Sequence, residues 1–169
     1  MVVVTIHSTD PFATPDEEKS AVRRLRGRLA SPVTLWTTPG PAGLTVSSTL
    51  IADGDPGRAL GLIDDESDFW EAVESTCRFT VIPLTPADRQ LADRFAGLMP
   101  AAGGLFTIEQ WTETEYGPIP AGHGSWAGCR LESSRPFGWA MLVEAVIESI
   151  TIDSASAPLI HYRGRYREL

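Results

Sequence analysis

Cysteine is scarce in this sequence: only Cys77 and Cys129 occur in 169 residues, and they form no CxxC pair. Both stand far apart among apolar or small neighbours, which argues against a zinc site of the usual kind and predicts two buried free thiols. The first six residues, Met1-Val2-Val3-Val4-Thr5-Ile6, lack the basic segment and the long apolar segment of a secretory signal. We therefore expect a reduced, cytoplasmic protein.

Positive charge is also in deficit, with 14 Lys and Arg against 22 Asp and Glu and a net charge of −8. This balance argues against nucleic-acid binding, which requires neutralisation of phosphates. No apolar run approaches the roughly 20 residues of a membrane-spanning helix, so no membrane contact is expected. A hydrophobic fraction of 43% predicts a packed core. The length fits a short leader at residues 1–13 and one domain at residues 14–169.

Familiar catalytic motifs are missing as well. The sequence contains no nucleophile elbow, Walker loop, GxGxxG or HExxH pattern. His7 and His123 have no Cys, Asp or Glu at metal-ligand spacing, so both are interpreted as surface residues and no metal site is expected. No catalytic side chain is predicted.

The pattern of apolar and β-branched residues predicts about seven strands and three short helices, without regular βαβ alternation. This favours an antiparallel barrel or sandwich with peripheral helices. Residues 99–124, rich in Gly and Pro, predict a long surface segment, called here the 99–124 excursion. The expected strands are 33–38, 44–50, 59–63, 77–84, 125–133, 141–152 and 158–166, and the expected helix starts are Thr14, Ser67 and Thr85.

Hydroxyl side chains cluster where two of these strands end. Thr37 and Thr38 end the first strand, and residues 45–48 of its hairpin partner carry three hydroxyls. Hydroxyls and backbone N–H groups that meet at strand ends can hold a phosphate without a cation. The same residues are typical of a half-exposed strand, and the segment alone does not decide between the two interpretations.

Asp64 and Ser67 form a second candidate position. A strand that ends in Asp64 and a hydroxyl at the following helix start favour an anion, although ordinary helix capping explains both residues too. Together with the hydroxyls of 45–48, this pattern indicates a phosphorylated aromatic ligand held by neutral hydrogen bonds.

The last expected strand carries a stripe of basic residues. Strand alternation places His161, Arg163, Arg165 and Arg167 on one face. This stripe either binds a phosphate or carboxylate, or pairs with the acidic surface of the same chain, and the sequence leaves both open.

Three segments together resemble the flavin reductase-like, FMN-binding split-barrel family. They are residues 31–38 with 44–48, the segment Arg94-Phe95-Ala96-Gly97, and residues 158–166. Their order and spacing across residues 20–169 carry the resemblance. It implies a mainly β fold, a six-stranded antiparallel split barrel that forms a homodimer and binds FMN or FAD between the subunits.

The implied activity is hydride transfer from NADH or NADPH to the flavin, with a monooxygenase as an expected consumer of the reduced flavin. Two alternatives remain open: a flavin-binding electron carrier without reductase turnover, and a barrel that has lost its cofactor and serves in protein interactions. The cofactor-binding residues implied by the resemblance are Thr37 and Thr38 at the isoalloxazine, Thr45, Val46, Ser47 and Ser48 at the ribityl chain and phosphate, Asp64 and Ser67 beside the phosphate, and Phe95, Ala96 and Gly97 at the border.

The chain departs from the family pattern in two places. Phe137-Gly138-Trp139 stands where many members have Gly-Asp-His, and the paired prolines of the family are reduced to Pro56. Both changes bear on the use of a reduced nicotinamide more than on flavin binding. Trp139 is expected to stack on a flavin, to block the nicotinamide position, or to belong to the core.

Overall fold

The computed structural model describes residues 20–154 and 157–169. The leader at 1–13 and the helix start expected at Thr14 lie outside these residues. None of the helices in the described ranges has the length and apolar character needed to cross a membrane. The helices are α1 (Ala21–Gly27), α2 (Asp68–Thr76) and α3 (Arg89–Phe95), with a short 3-10 helix at Pro86–Asp88. The strands are β1 (Ser31–Pro32), β2 (Thr34–Thr37), β3 (Gly43–Val46), β4 (Leu50–Ala52), β5 (Arg58–Ile63), β6 (Arg78–Pro83), β7 (Trp111–Thr112), β8 (Ile119–Pro120), β9 (Trp126–Phe137), β10 (Ala140–Thr151), β11 (Ile160–Tyr162) and β12 (Arg165–Arg167).

Seven strands form one antiparallel sheet in the order β3-β2-β6-β9-β10-β5-β4. The expected hairpin of the first two long segments is confirmed as β2 and β3, with Thr34 opposite Val46 and Thr37 opposite Gly43. The mainly β fold with short helices is therefore confirmed. Six of the expected strands are strands of this sheet, whereas β4 was missed because Leu50 was taken as the end of the strand 44–50 and residues 51–52 were assigned to no element.

The sheet curls, so that strands distant in its order face each other. A Cβ atom on Gly61 in β5 would lie 2.6 Å from the Trp36 ring in β2. Ser48, just after β3, accepts a hydrogen bond from Leu62 N at 2.8 Å and donates to Leu62 O at 3.0 Å. These contacts bring the end of β3 against β5.

The core inside the curl is aromatic. Trp36 stacks on Phe79 with ring centroids 4.8 Å apart, and Phe69 packs edge-on against both rings. All three side chains are buried. A second apolar cluster beneath α3 contains Leu35, Ile82, Leu84, Leu91 and Phe95. Both faces of β2 are therefore covered, because alternate residues of a strand point to opposite faces.

The C-terminal segment differs from the expected single strand. β11 and β12 form a tight hairpin whose turn residues, Arg163 and Gly164, have φ values of 52° and 76°. Positive φ at both positions is typical of a type I′ turn. The expected stripe of basic residues on one strand face is therefore wrong, because the alternation rule ends at the turn and His161 pairs with Tyr166 across the hairpin.

The two cysteines have different environments. Cys77 is exposed at the end of α2, where it adopts a left-handed conformation with φ of 56°, so its predicted burial is wrong. Cys129 is buried in β9 as predicted. Burial, together with the charge of Glu148, raises the pKa of the Cys129 thiol to about 12, so it stays protonated at neutral pH.

Candidate functional site

The candidate site lies along the outer edge of β3, where α3 packs against the sheet. The Thr45 hydroxyl donates to the Ala92 carbonyl of α3 at 2.7 Å. Gly43 gives the Phe95 ring its space, because a Cβ there would lie 2.6 Å from that ring. The structure thus brings the 45–48 segment and the segment at the end of α3 together.

The segment after β3 offers one hydroxyl to a ligand. Ser47 is exposed, and its hydroxyl makes no hydrogen bond within residues 20–154 and 157–169. Ser48 is engaged with the Leu62 backbone, and Val46 points into the core at 2% exposure. Val46 and Ser48 can therefore reach a ligand mainly through backbone groups.

Asp64 and Ser67 act as a helix cap. The Ser67 hydroxyl donates to Asp64 O at 2.6 Å and accepts from Trp70 N at 3.2 Å, which closes the first turn of α2. An Asp64 carboxylate oxygen accepts from Glu66 N at 2.9 Å. The capping interpretation explains these contacts, and a bound anion is not needed to account for them.

Thr37 and Thr38 lie at the opposite end of the β2–β3 hairpin from Ser47, and both are buried. The Thr37 hydroxyl donates to Pro118 O at 2.6 Å and lies 2.6 Å from the Thr80 hydroxyl. The Thr38 hydroxyl is bonded to the Ala42 backbone in the hairpin turn. The structure therefore does not gather all the predicted hydroxyls in one pocket.

The 99–124 excursion covers the end of α3. The rings of Phe106 and Trp111 pack against Phe95 with centroid distances of 5.1 and 5.8 Å. Glu109 approaches Arg94, with 3.7 Å between its carboxylate oxygen and Nη1. Ala96 and Gly97 follow α3 and are exposed, with Gly97 at a positive φ of 75° that ends the helix. The prediction of a surface segment is wrong for residues 116–120, which are buried, whereas residues 99–115 and 121–124 are exposed or half-buried. The segment borders the candidate site.

Two buried donors in this region lack an acceptor. Within the described residues, Arg94 Nε and Trp111 Nε1 are buried and make no hydrogen bond. A buried, unsatisfied polar group costs about 1–3 kcal/mol, so such atoms call for an acceptor from elsewhere. Sequence reasoning missed both roles: Arg94 was treated only as part of a four-residue segment, and nothing local distinguishes Trp111.

His123, predicted to be a surface residue, is instead half-buried in an ion pair. Its Nε2 lies 3.0 Å from a carboxylate oxygen of Asp88, which also accepts from Thr85 N and from the Thr85 hydroxyl. The hydrogen bond to Asp88 raises the pKa of His123 despite burial, and the nearby Asp153 adds to this. For Asp88, burial opposes ionisation, but hydrogen bonds from His123 and Thr85 lower its pKa overall. The pair joins the end of the excursion to the start of α3.

Raising the pH should weaken this connection. A histidine whose pKa is raised on folding stabilises the fold below its unfolded pKa, near 6.5, and loses that contribution as the pH rises through the folded value. We expect wild type to exceed His123→Gln in free energy of unfolding by about 1 kcal/mol at pH 6, and by less at pH 8.5. Urea unfolding of both proteins at each pH measures this difference. A difference in free energy of unfolding that stays constant with pH would contradict this prediction. Comparing the two proteins also cancels the opposite pH effect of His161, which both contain and whose pKa is lowered by burial and by Arg26.

Trp139 occupies the tip of the long β9–β10 hairpin. It follows Gly138, which has φ of 62°, and its side chain is fully exposed. The Arg135 guanidinium lies 5.3 Å from the centroid of the neighbouring Phe137 ring. The interpretation of Trp139 as a core residue is therefore wrong, and its two ligand-facing interpretations remain predictions.

Comparisons with known proteins agree with the fold. Residues 26–169 match the sequence model of a family described as "Flavin reductase like domain". The chain is 30% identical over 166 residues to FMN reductase (NADH) RutF 2 of Methylorubrum extorquens (strain PA1), covering 96% of this chain and 94% of the relative. It is 28% identical over 150 residues to the flavin-dependent monooxygenase reductase subunit HsaB of Mycobacterium tuberculosis (strain CDC 1551 / Oshkosh), covering 85% and 79%. The crystal structure of nitrilotriacetate monooxygenase component B from Mycobacterium thermoresistibile superposes with a TM-score of 0.78 at 25% identity, covering 88% and 84%.

Proposed function

This chain belongs to the flavin reductase-like family, and from that premise we propose that it binds FMN and reduces it with NADH. FAD and NADPH are the alternative flavin and nicotinamide. The observation that carries the proposal is the β3–α3 edge, where Thr45 is bonded to Ala92, Gly43 packs against the Phe95 ring, and the Ser47 hydroxyl just after β3 is exposed. This edge lies inside the region matched by the family.

The residues at this edge suit a phosphorylated aromatic ligand. A phosphate group carries oxygen acceptors and negative charge, which complement the guanidinium of Arg94 and the indole N–H of Trp111. The Phe95, Phe106 and Trp111 rings form an apolar wall beside them. The chain therefore fits a flavin phosphate better than an uncharged ligand.

A bound flavin would supply the ring that accepts the hydride, so the chain itself needs no acid, base or nucleophile. In the proposed site the Ser47 hydroxyl donates a hydrogen bond to the ligand. The hydrogen bond from Thr45 to the Ala92 carbonyl holds α3 against β3. The aromatic wall excludes water from the phosphate. Thr37 and Thr38 are left out of the proposed contacts, because both are buried and their hydroxyls and backbone N–H groups are bonded within the chain.

The proposal extends to assembly and partners. We infer that residues 14–169 form one split-barrel domain of six central strands, which the contact of β5 with the end of β3 supports. A cytoplasmic homodimer is proposed, in line with the exposed apolar side chains Leu50, Ile51, Ile150 and Ile152. A monooxygenase that consumes reduced flavin is the proposed partner, since one similar protein is named as the reductase subunit of a flavin-dependent monooxygenase and another as a monooxygenase component B.

One experiment separates the reductase from the electron carrier. Purified protein is mixed anaerobically with one equivalent of FMN and then with NADH or NADPH, while absorbance is followed in the flavin bands. The reductase hypothesis predicts bleaching within seconds at a rate that depends on protein concentration. Bound flavin that does not bleach would support the electron carrier. This alternative is specific to the chain because Phe137-Gly138-Trp139, with Trp139 fully exposed, replaces the Gly-Asp-His of many family members. Absence of flavin binding would reject both.

A further inference from the structure

The basic residues of this acidic chain are concentrated in two short segments that the structure joins. Residues 23–28 and 163–167 hold seven of the 14 Lys and Arg residues and no acidic residue. The N–H of Arg163, in the turn between β11 and β12, donates to the Gly27 carbonyl of α1 at 2.9 Å. The end of α1 and the tip of the β11–β12 hairpin therefore form one positive region on a chain of net charge −8.

The arginines of this region lack carboxylate partners. Five arginines elsewhere form ion pairs with Glu side chains: Arg58, Arg78, Arg89, Arg94 and Arg130. Within residues 20–154 and 157–169, six exposed arginines form no such ion pair, and they are called here the basic face: Arg24, Arg26, Arg28, Arg163, Arg165 and Arg167. Their charge is therefore available to an anionic partner.

The helix α1 also exposes apolar side chains at helical spacing. Val22, Leu25 and Leu29, at positions i, i+3 and i+7, are 77%, 64% and 62% exposed, and no residue of α1 is buried. The 3.6-residue period places Arg26 and Arg28 on opposite sides of this apolar stripe. A helix of seven residues is marginal in water on its own, because helices are stabilised mainly by packing of an amphipathic face. The exposed stripe therefore calls for an apolar surface that packs on it.

This pattern selects one kind of partner. An apolar seam at i, i+3 and i+7 with charges on both sides is the pattern by which paired helices recognise each other, and here both flanks are positive. A second copy is disfavoured, because pairing α1 with α1 brings arginines against arginines. A membrane of anionic lipid or a nucleic acid is also disfavoured, since the rest of the chain carries 22 acidic and seven basic residues and repels an extended negative surface. A helix with acidic flanks is compact enough to meet the basic face alone.

We propose that α1 docks an acidic amphipathic helix of a partner protein, whose apolar stripe packs on Val22, Leu25 and Leu29 and whose carboxylates pair with the basic face. This docking surface rests on α1 and the β11–β12 hairpin alone. The identification of the partner as the monooxygenase rests on the proposed function. Docking and flavin binding use separate residues, because the basic face lies on other elements than the β3–α3 edge.

A designed peptide tests the proposal. The probe is a fluorescein-labelled helix of about 21 residues, with Leu at the a and d positions of each heptad and Glu at e and g. Fluorescence anisotropy during titration with the full chain gives its dissociation constant. We expect about 10–100 μM at about 50 mM salt, weakening about fivefold at about 300 mM because salt screens the ion pairs. The matched peptide with Lys at e and g should bind at least about tenfold more weakly.

Variants of the chain locate the binding surface. The double variant Arg26→Glu/Arg28→Glu should reverse the preference and bind the Lys peptide about tenfold more tightly than the Glu peptide. Leu25→Gln should weaken binding of the Glu peptide about fivefold, because it removes the centre of the apolar stripe. Arg135→Glu is the control: Arg135 is an exposed arginine of β9 that contacts the Phe137 ring, and its reversal should leave both affinities unchanged. All of these side chains are exposed, so each variant should keep the native circular dichroism.

Equal affinities for the two peptides, or no binding of either, would overturn the proposal. Binding instead to phosphatidylglycerol vesicles or to a single-stranded oligonucleotide, lost in the double variant, would also overturn it and assign the basic face to phosphate groups. A lower oligomeric state of Leu25→Gln in light scattering would overturn it in favour of a second copy. Bleaching of FMN by NADH is measured on the same samples: peptide binding without bleaching rejects only the reductase, and bleaching without a peptide preference rejects only the docking surface.

Discussion

Replacing Phe79 by alanine is expected to lower the free energy of unfolding by about 3–5 kcal/mol. The Phe79 ring is completely buried, stacks on Trp36 and meets the edge of Phe69. Removing it takes away its apolar burial and leaves a cavity beside the Trp36 and Phe69 rings, which are held on two other elements, β2 and α2. Such a loss is a large part of the 5–15 kcal/mol that stabilises a typical domain. Equilibrium unfolding in urea measures the change.

Phe137→Ala is the matched control, because it makes the same chemical change at an exposed position of β9. Phe137 is 47% exposed, and its ring makes a cation–π contact with the Arg135 guanidinium. A cost of at most about 1 kcal/mol is expected there. Similar costs for both variants would show that the Trp36–Phe79–Phe69 cluster does not dominate the core.

Local patterns predicted the parts of this fold that depend on local physics. Ser67 was expected to cap a short helix, and it does, because its hydroxyl needs only the backbone N–H three residues later. The β2–β3 hairpin followed from two β-branched segments around a Gly- and Pro-rich turn. These elements are determined by neighbours within a few residues of sequence.

Features that depend on distant residues were missed. The Asp88–His123 pair joins residues 35 positions apart, and nothing near either residue announces the other. The Thr37 hydroxyl is consumed by Pro118, 81 positions later, so a strand-end hydroxyl that looked available to a ligand is internal. The turn at Arg163 and Gly164 was hidden because alternating Tyr and Arg residues continued across it. The sequence predicted residues of the 45–48 segment and of Phe95-Ala96-Gly97 for the candidate site. It did not predict that Trp111 packs beside them against Phe95.

Gly128→Ala is expected to destabilise the fold by about 2–3 kcal/mol, through overpacking rather than through a cavity. Gly128 is the third residue of β9 and lies opposite Thr80 of β6 and Ser149 of β10. A Cβ there would lie 2.3 Å from the Tyr116 ring, which is only 5% exposed and therefore has little room to retreat. Thermal unfolding should show the melting temperature lowered by about 5–10 °C.

The displacement of the Tyr116 ring distinguishes a steric clash from a general unfavourable effect of alanine in a β-strand. The Tyr116 hydroxyl donates to Glu148 at 3.2 Å, and Glu148 in turn accepts from Arg130 Nε at 2.7 Å. Displacing the ring breaks the first of these bonds, so Tyr116→Ala should remove most of the penalty of Gly128→Ala in a double-mutant cycle. Gly27→Ala is the control: it lies in α1 with no atom within 4 Å of the added carbon, and should leave stability unchanged or raise it by up to about 1 kcal/mol. Additive costs for Gly128→Ala and Tyr116→Ala would contradict the proposed clash.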